Sequence, residues 1–129
     1  MPLTSFDHVN IRTAQLARMI AWYEEILGLL SGPRPDFGFP GAWLYLGETA
    51  IIHLVGTDHH PSPFDESEDL RLEHISFRAT DYPAFRDRLE AHGVAHHATH
   101  LDDIRLVLVN IRDPDGNHIH VDFDMDEVV

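Results

Sequence analysis

The chain has 129 residues, 43% hydrophobic and 24% charged, which suits one soluble domain, or two small modules sharing a core. Nine basic against twenty-two acidic residues give a net charge of −13, which argues against nucleic acid and anionic membrane as partners, since both need clustered Lys and Arg. Cysteine is absent, which rules out disulfides, thiolate metal sites and cysteine nucleophiles, whereas eleven histidines form an excess that acidity does not explain.

Residues 6–12 alternate, with Val9 and Ile11 on one face and Phe6, His8 and Asn10 on the other, the pattern of a half-buried strand. Thr13 can cap a helix on which Leu16, Met19, Ile20, Tyr23, Ile26, Leu27 and Leu30 recur at helical spacing, with Gly28 as its stop. Pro33, Pro35 and Pro40 with Gly32, Gly38 and Gly41 make residues 31–41 mainly loop or irregular strand. Residues 42–46 and 50–55 flank Gly47-Glu48-Thr49 as a hairpin. Residues 57–71 are polar and acidic, carry Pro61, Pro63 and the pair His59-His60, and read as a linker. Residues 72–78 form a strand, and Asp81 caps a short helix with Pro83 in its first turn, Tyr82, Phe85 and Leu89 on its apolar face and Gly93 at its end. Strands follow at 94–100 and 104–111, then a turn at Asp113-Pro114-Asp115-Gly116 and a last strand over 117–124. No stretch approaches the roughly 20 apolar residues of a membrane span. The first residues lack the charged and apolar regions of a signal peptide, so the cytoplasm is the expected compartment.

The order strand, helix, three strands occurs twice. His8 maps onto His74 at an offset of 66, Gly28 onto Gly93 at 65 and His53 onto His120 at 67, so a duplicated module of about half the chain is expected. The expected division is one domain over 1–129, with a first βαβββ module at 1–56, the linker at 57–71 and a second module at 72–129. Duplication singles out four histidines, His8 and His74 on the first strand of each half and His53 and His120 on the last. The apolar neighbours Val9, Ile75, Ile119 and Val121 turn His8, His74 and His120 away from the helix-packed face, while His53 shares its face with Ile51 and Val55. Imidazole is the commonest protein ligand for divalent metals, so a metal site that leaves open positions for a chelating substrate is expected. The other histidines, including His92, His96, His97 and His100, have no such pattern.

Asp7-His8-Val9-Asn10-Ile11, Trp22-Tyr23-Glu24-Glu25-Ile26-Leu27-Gly28-Leu29, Gly41-Ala42-Trp43-Leu44-Tyr45-Leu46, Ile52-His53-Leu54, His74-Ile75-Ser76-Phe77-Arg78 and Asp113-Pro114-Asp115-Gly116-Asn117 occur in that order. Together they resemble the vicinal oxygen chelate superfamily of glyoxalases, bleomycin resistance proteins and extradiol dioxygenases. The resemblance covers nearly the whole chain. It implies an α+β fold of two tandem βαβββ modules whose curved mixed sheets form one open cup with helices outside. It also implies one divalent ion (Zn, Ni, Mn, Co or Fe(II)) held by His8, His53, His74 and His120, and a homodimer, which unpaired sheet edges also favour.

Metal-binding relatives usually carry Glu where this chain has His120. A general base would then come from elsewhere, and Asp122 and His118 flank His120 on the same strand face, with Cα atoms about 7 Å away; alternatively Asp122 takes the ligand position. Arg105 and Arg34 could fork onto a substrate carboxylate or phosphonate, and Phe39, Trp43 and Tyr45 could line a cavity around an organic substrate. The expected function is a metal-dependent lyase or isomerase of the glyoxalase type, acting on a small anionic metabolite that chelates through oxygen. An extradiol-type dioxygenase and a metal-free protein that sequesters a drug or metabolite are the alternatives.

Overall fold

The computed structural model describes residues 2–59 and 72–128. The expected linker falls mostly, and His60, Pro61 and Pro63 wholly, outside the described residues. The chain divides into two compact units, Met1–Pro63 and Phe64–Val129.

The first unit runs β1 (Val9–Thr13), α1 (Leu16–Glu25), β2 (Leu30–Gly32), β3 (Gly41–Leu46) and β4 (Thr49–Gly56). Its sheet has the order β1-β4-β3-β2, with β1 parallel to β4 and the other pairs antiparallel. The second unit runs β5 (Ile75–Arg78), α2 (Tyr82–Ala91), β6 (His97–Leu101), β7 (Leu106–Arg112) and β8 (His118–Asp124). Its order, β5-β8-β7-β6, repeats the first with the same strand directions. This is the duplicated α+β module expected from the landmark residues. No helix among the described residues is long and apolar enough to cross a membrane.

In the first unit Met19, Tyr23, Ile26 and Leu29 pack with Leu44, Ile52 and Leu54 as a buried core. The apolar stripe of α1 was expected to continue to Leu30, but Leu30 is exposed and Leu29 is buried instead. The reason is Gly28, which takes a φ of 73° and donates its N–H to Glu24 O at 3.1 Å, so the helical register ends before Leu30. Thr13 does not cap the first turn directly. Its Oγ1 accepts from Gln15 N at 3.1 Å, and Gln15 occupies the N-cap position without a side-chain cap bond.

In the second unit Phe85 and Leu89 of α2 belong to the core with Val107, Val109, Ile111, Ile119, Val121 and Phe123. Asp81 caps α2 as expected, its side chain accepting from Ala84 N. At the other end Gly93 N bonds Glu90 O and Val94 N bonds Leu89 O, the paired bonds that close a helix when its C′ residue is left-handed. Gly93 has a φ of 65°, and a Cβ there meets nothing within 4 Å. Replacing it with alanine therefore costs only backbone strain. Gly93→Ala should lower the unfolding free energy by about 1–2 kcal/mol, read as a lower urea midpoint at unchanged m.

Candidate metal centre

Strand alternation builds the polar face of the second unit. On β8 the residues Ile119, Val121 and Phe123 enter the core, which leaves His118, His120 and Asp122 on the opposite face. On the antiparallel neighbour, Asn110 stands opposite His120 and Leu108 opposite Asp122. On the parallel neighbour, Ser76 stands opposite His120, and His74 lies immediately before β5.

Side-chain contacts tie these residues into one network. Glu73 holds His74 through Oε2 and Nδ1, and its Oε1 lies 3.3 Å from His118 Nδ1. His118 Nε2 meets Asn110 Oδ1 at 2.9 Å. His120 donates from Nδ1 to Asp122 Oδ1, and the His74 and His120 rings lie 4.4 Å apart between centroids. Glu73, His74 and His118 each offer a ligand atom within 4.8 Å of the others, the one such group found among the described residues. The hydrogen bond from His74 holds Glu73 below the ordinary carboxylate pKa. Burial lowers the pKa of His118, against the opposing pull of Glu73. Both directions favour the forms a metal requires, an ionised carboxylate and a neutral imidazole.

In the first unit the two expected histidines also meet. His8, just before β1, and His53, on β4, stack with ring centroids 3.7 Å apart and planes 9° from parallel. His53 also contacts Trp43 at 4.1 Å and 12°, its cross-strand partner on β3, so the imidazole lies between two flat rings. Asp7 holds His8 at Nδ1 at 2.6 Å, and His53 Nε2 donates to Ala50 O at 3.1 Å. Burial and the neighbouring His8 hold His53 below the usual histidine pKa. Arg34, half-buried, donates to Phe39 O at 3.1 Å and lies over the Phe37 and Phe39 rings at 5.0 and 5.1 Å. Tyr45 donates its hydroxyl to Pro33 O at 2.6 Å, and its ring covers Gly32, so it secures the loop between β2 and β3. Arg105 pairs with Asp126 and has a φ of 54° in the turn before β7.

Glu73, Asp7 and Asn110 were not singled out by sequence reasoning. For the two acids a signal existed, because Asp7-His8 and Glu73-His74 are dipeptides 66 residues apart. His59 also contacts its preceding acid, Asp58, but there both side chains are largely exposed. A hollow of about 480 Å³ lies elsewhere, lined by Arg78, Ala79, Thr80, Asp124 and Glu127.

A model of the Glyoxalase/Bleomycin resistance protein/Dioxygenase superfamily matches residues 5–121. The chain belongs to this superfamily. It is 27% identical over 123 residues to a protein named Glyoxylase I 4 from Arabidopsis thaliana, covering 92% of this chain and 70% of that one. Among solved structures it superposes on a glyoxylase/bleomycin resistance protein/dioxygenase domain from Frankia sp. EAN1pec with a TM-score of 0.77 at 25% identity, over 95% of this chain and 93% of that one. A lactoylglutathione lyase from Agrobacterium tumefaciens gives a TM-score of 0.69 at 19% identity, over 97% of each chain, a likeness of fold. Superfamily membership and the Glu73, His74 and His118 group agree on a divalent cation as the group to test, since two imidazoles and a carboxylate suit borderline ions such as Zn, Mn, Co, Ni and Fe(II).

Proposed function

We propose that this chain is a divalent-metal-dependent lyase or isomerase of the glyoxalase type, acting on a small, anionic metabolite that presents neighbouring oxygens. The observation that carries this reading is the convergence of Glu73, His74 and His118 donor atoms within 4.8 Å in a chain of this superfamily. A divalent ion bound there would supply Lewis acidity toward a substrate oxygen. The protein supplies the proton chemistry. Asp122 fixes the Nδ1–H of the buried His120, so Nε2 is the atom left to take or return a proton, the imidazole–carboxylate pairing of general acid–base catalysis.

The sequence expectation made His120 a ligand and offered Asp122 or His118 as the base, with Asp122 as the alternative ligand; the contacts favour His118 as the ligand and the Asp122-held His120 as the base. His8 and His53 stand as proposed ligands of the first unit. The test is metal analysis of untagged protein together with single alanine variants. His118→Ala should lose affinity for the ion, whereas His120→Ala should keep the ion and lose turnover. Loss of the ion from His120→Ala alone would restore the original assignment. Protein that neither purifies with a divalent metal nor takes one up would sink the whole reading. His8→Ala and His53→Ala, measured the same way, report what the first unit contributes.

One observation favours a second chemistry. Two histidines and one carboxylate are the donor set of non-haem Fe(II) oxygenases. Oxygen consumption with a catechol, dependent on Fe(II) and not restored by Zn, Ni, Co or Mn, would select an extradiol-type dioxygenase instead.

A further inference from the structure

We propose that Asn110 is a positioning residue that makes His118 a metal ligand through Nδ1. The proposal rests on the reading above, that a divalent cation binds beside Glu73 and His74. The orientation of the Asn110 amide is fixed by its surroundings. Its Nδ2 lies 3.3 Å from His97 O, 3.1 Å from Thr99 Oγ1 and 3.3 Å from Leu108 O. The flipped amide would set its oxygen against two carbonyl oxygens, so Oδ1 faces His118 Nε2 at 2.9 Å.

An amide oxygen only accepts, so His118 Nε2 carries a proton. A metal-binding histidine is neutral, and a neutral imidazole has one donor and one acceptor nitrogen. The acceptor in His118 is therefore Nδ1, the nitrogen that lies 3.3 Å from Glu73 Oε1. With a divalent cation bound, that nitrogen and Glu73 Oε1 are the two atoms that would face it, while His74 engages the other Glu73 oxygen. His120 differs, because its Nδ1 is occupied by Asp122. The two β8 histidines therefore present opposite ring nitrogens from one strand face.

The experiment uses full-length protein labelled with ¹⁵N-histidine, with Zn²⁺ as the probe. In the metal-free protein above neutral pH, the His118 proton should be found on Nε2, with Nδ1 unprotonated. One equivalent of Zn²⁺ should move the His118 Nδ1 resonance to its metal-bound position and leave Nε2–H in place. Asn110→Leu frees the ring, and Zn²⁺ affinity should fall about 10–100-fold, the usual consequence of removing an outer-shell partner. Thr99→Val removes only one of the three acceptors around Nδ2 and should leave affinity and the His118 spectrum as in the parent. If Zn²⁺ binds and His74 responds while His118 does not, or if His118 binds through Nε2, this proposal fails and the metal-centre reading survives. If no Zn²⁺ binds, both fail. The wild-type spectrum decides the question even if Asn110→Leu does not fold.

Discussion

If the proposed metal centre is right, replacing His74 with alanine should lower divalent-ion affinity more than any other single change in the second unit. His74 is where two independent lines meet, because duplication pairs it with His8 and side-chain geometry groups it with Glu73 and His118. Losing a direct ligand should cost more than the roughly 10–100-fold that a missing outer-shell partner costs. Glu73 is also left without the hydrogen bond that fixes one of its oxygens, so two of the three donors are disturbed by one substitution. The measurement is Zn²⁺ affinity by competition with a coloured chelator, beside metal content after dialysis. Folding is not expected to confuse it, since the His74 side chain is 42% exposed and adds little to the core. His59→Ala is the matched control. His59 also contacts the acid before it, but its side chain is 80% exposed and it belongs to no strand. Equal loss of metal in the two variants would mean that binding follows histidine number, and not the site.

The duplicated fold was legible because its evidence was positional. His8 and His74, Gly28 and Gly93, and His53 and His120 recur at nearly one offset, and the two sheets share one order and one set of strand directions. Period-two alternation also placed His118, His120 and Asp122 on one face correctly, because Ile119, Val121 and Phe123 must be buried. The same alternation cannot separate His118 from His120. That distinction lies in side-chain rotation, which sends one ring to Asn110 and Glu73 and the other to Asp122. Asn110 left no mark in the sequence beyond one polar residue among Leu106, Val107, Leu108, Val109 and Ile111. Its importance comes from the register that sets it opposite His120 and His97. Leu30 misled for a local reason, since periodicity continues through Gly28 while the helix does not.

Asp113→Ala should destabilise the protein by about 2–4 kcal/mol, the loss expected when a buried acceptor is removed from two backbone donors and one side-chain donor. Asp113 is 4% exposed. Its Oδ1 accepts from Asp115 N at 3.0 Å and Asn117 N at 2.9 Å, and its Oδ2 accepts from Asn117 Nδ2 at 2.8 Å. The turn is also closed by backbone bonds from Asp113 N to Asn117 O and from Gly116 N to Asp113 O. Alanine keeps those backbone bonds and removes the carboxylate, so the part-buried N–H groups of Asp115 and Asn117 lose this acceptor. Asp113→Asn should be milder, because its oxygen can still serve the two backbone donors and only the bond from Asn117 Nδ2 is lost, since an amide nitrogen in place of Oδ2 cannot accept it. The order wild type, Asn, Ala in urea midpoint separates lost hydrogen bonding from lost volume. Equal midpoints for all three would show that the turn does not depend on this carboxylate. The turn also connects β7 to β8 and sets Arg112 opposite His118 and Asn110 opposite His120. A loosened turn should therefore weaken Zn²⁺ binding under conditions where Asp113→Ala is still folded, although Asp113 lies outside the cluster of ligand atoms. The sequence motif that first marked a simple reversal of the chain is then also what holds the β8 histidines in register.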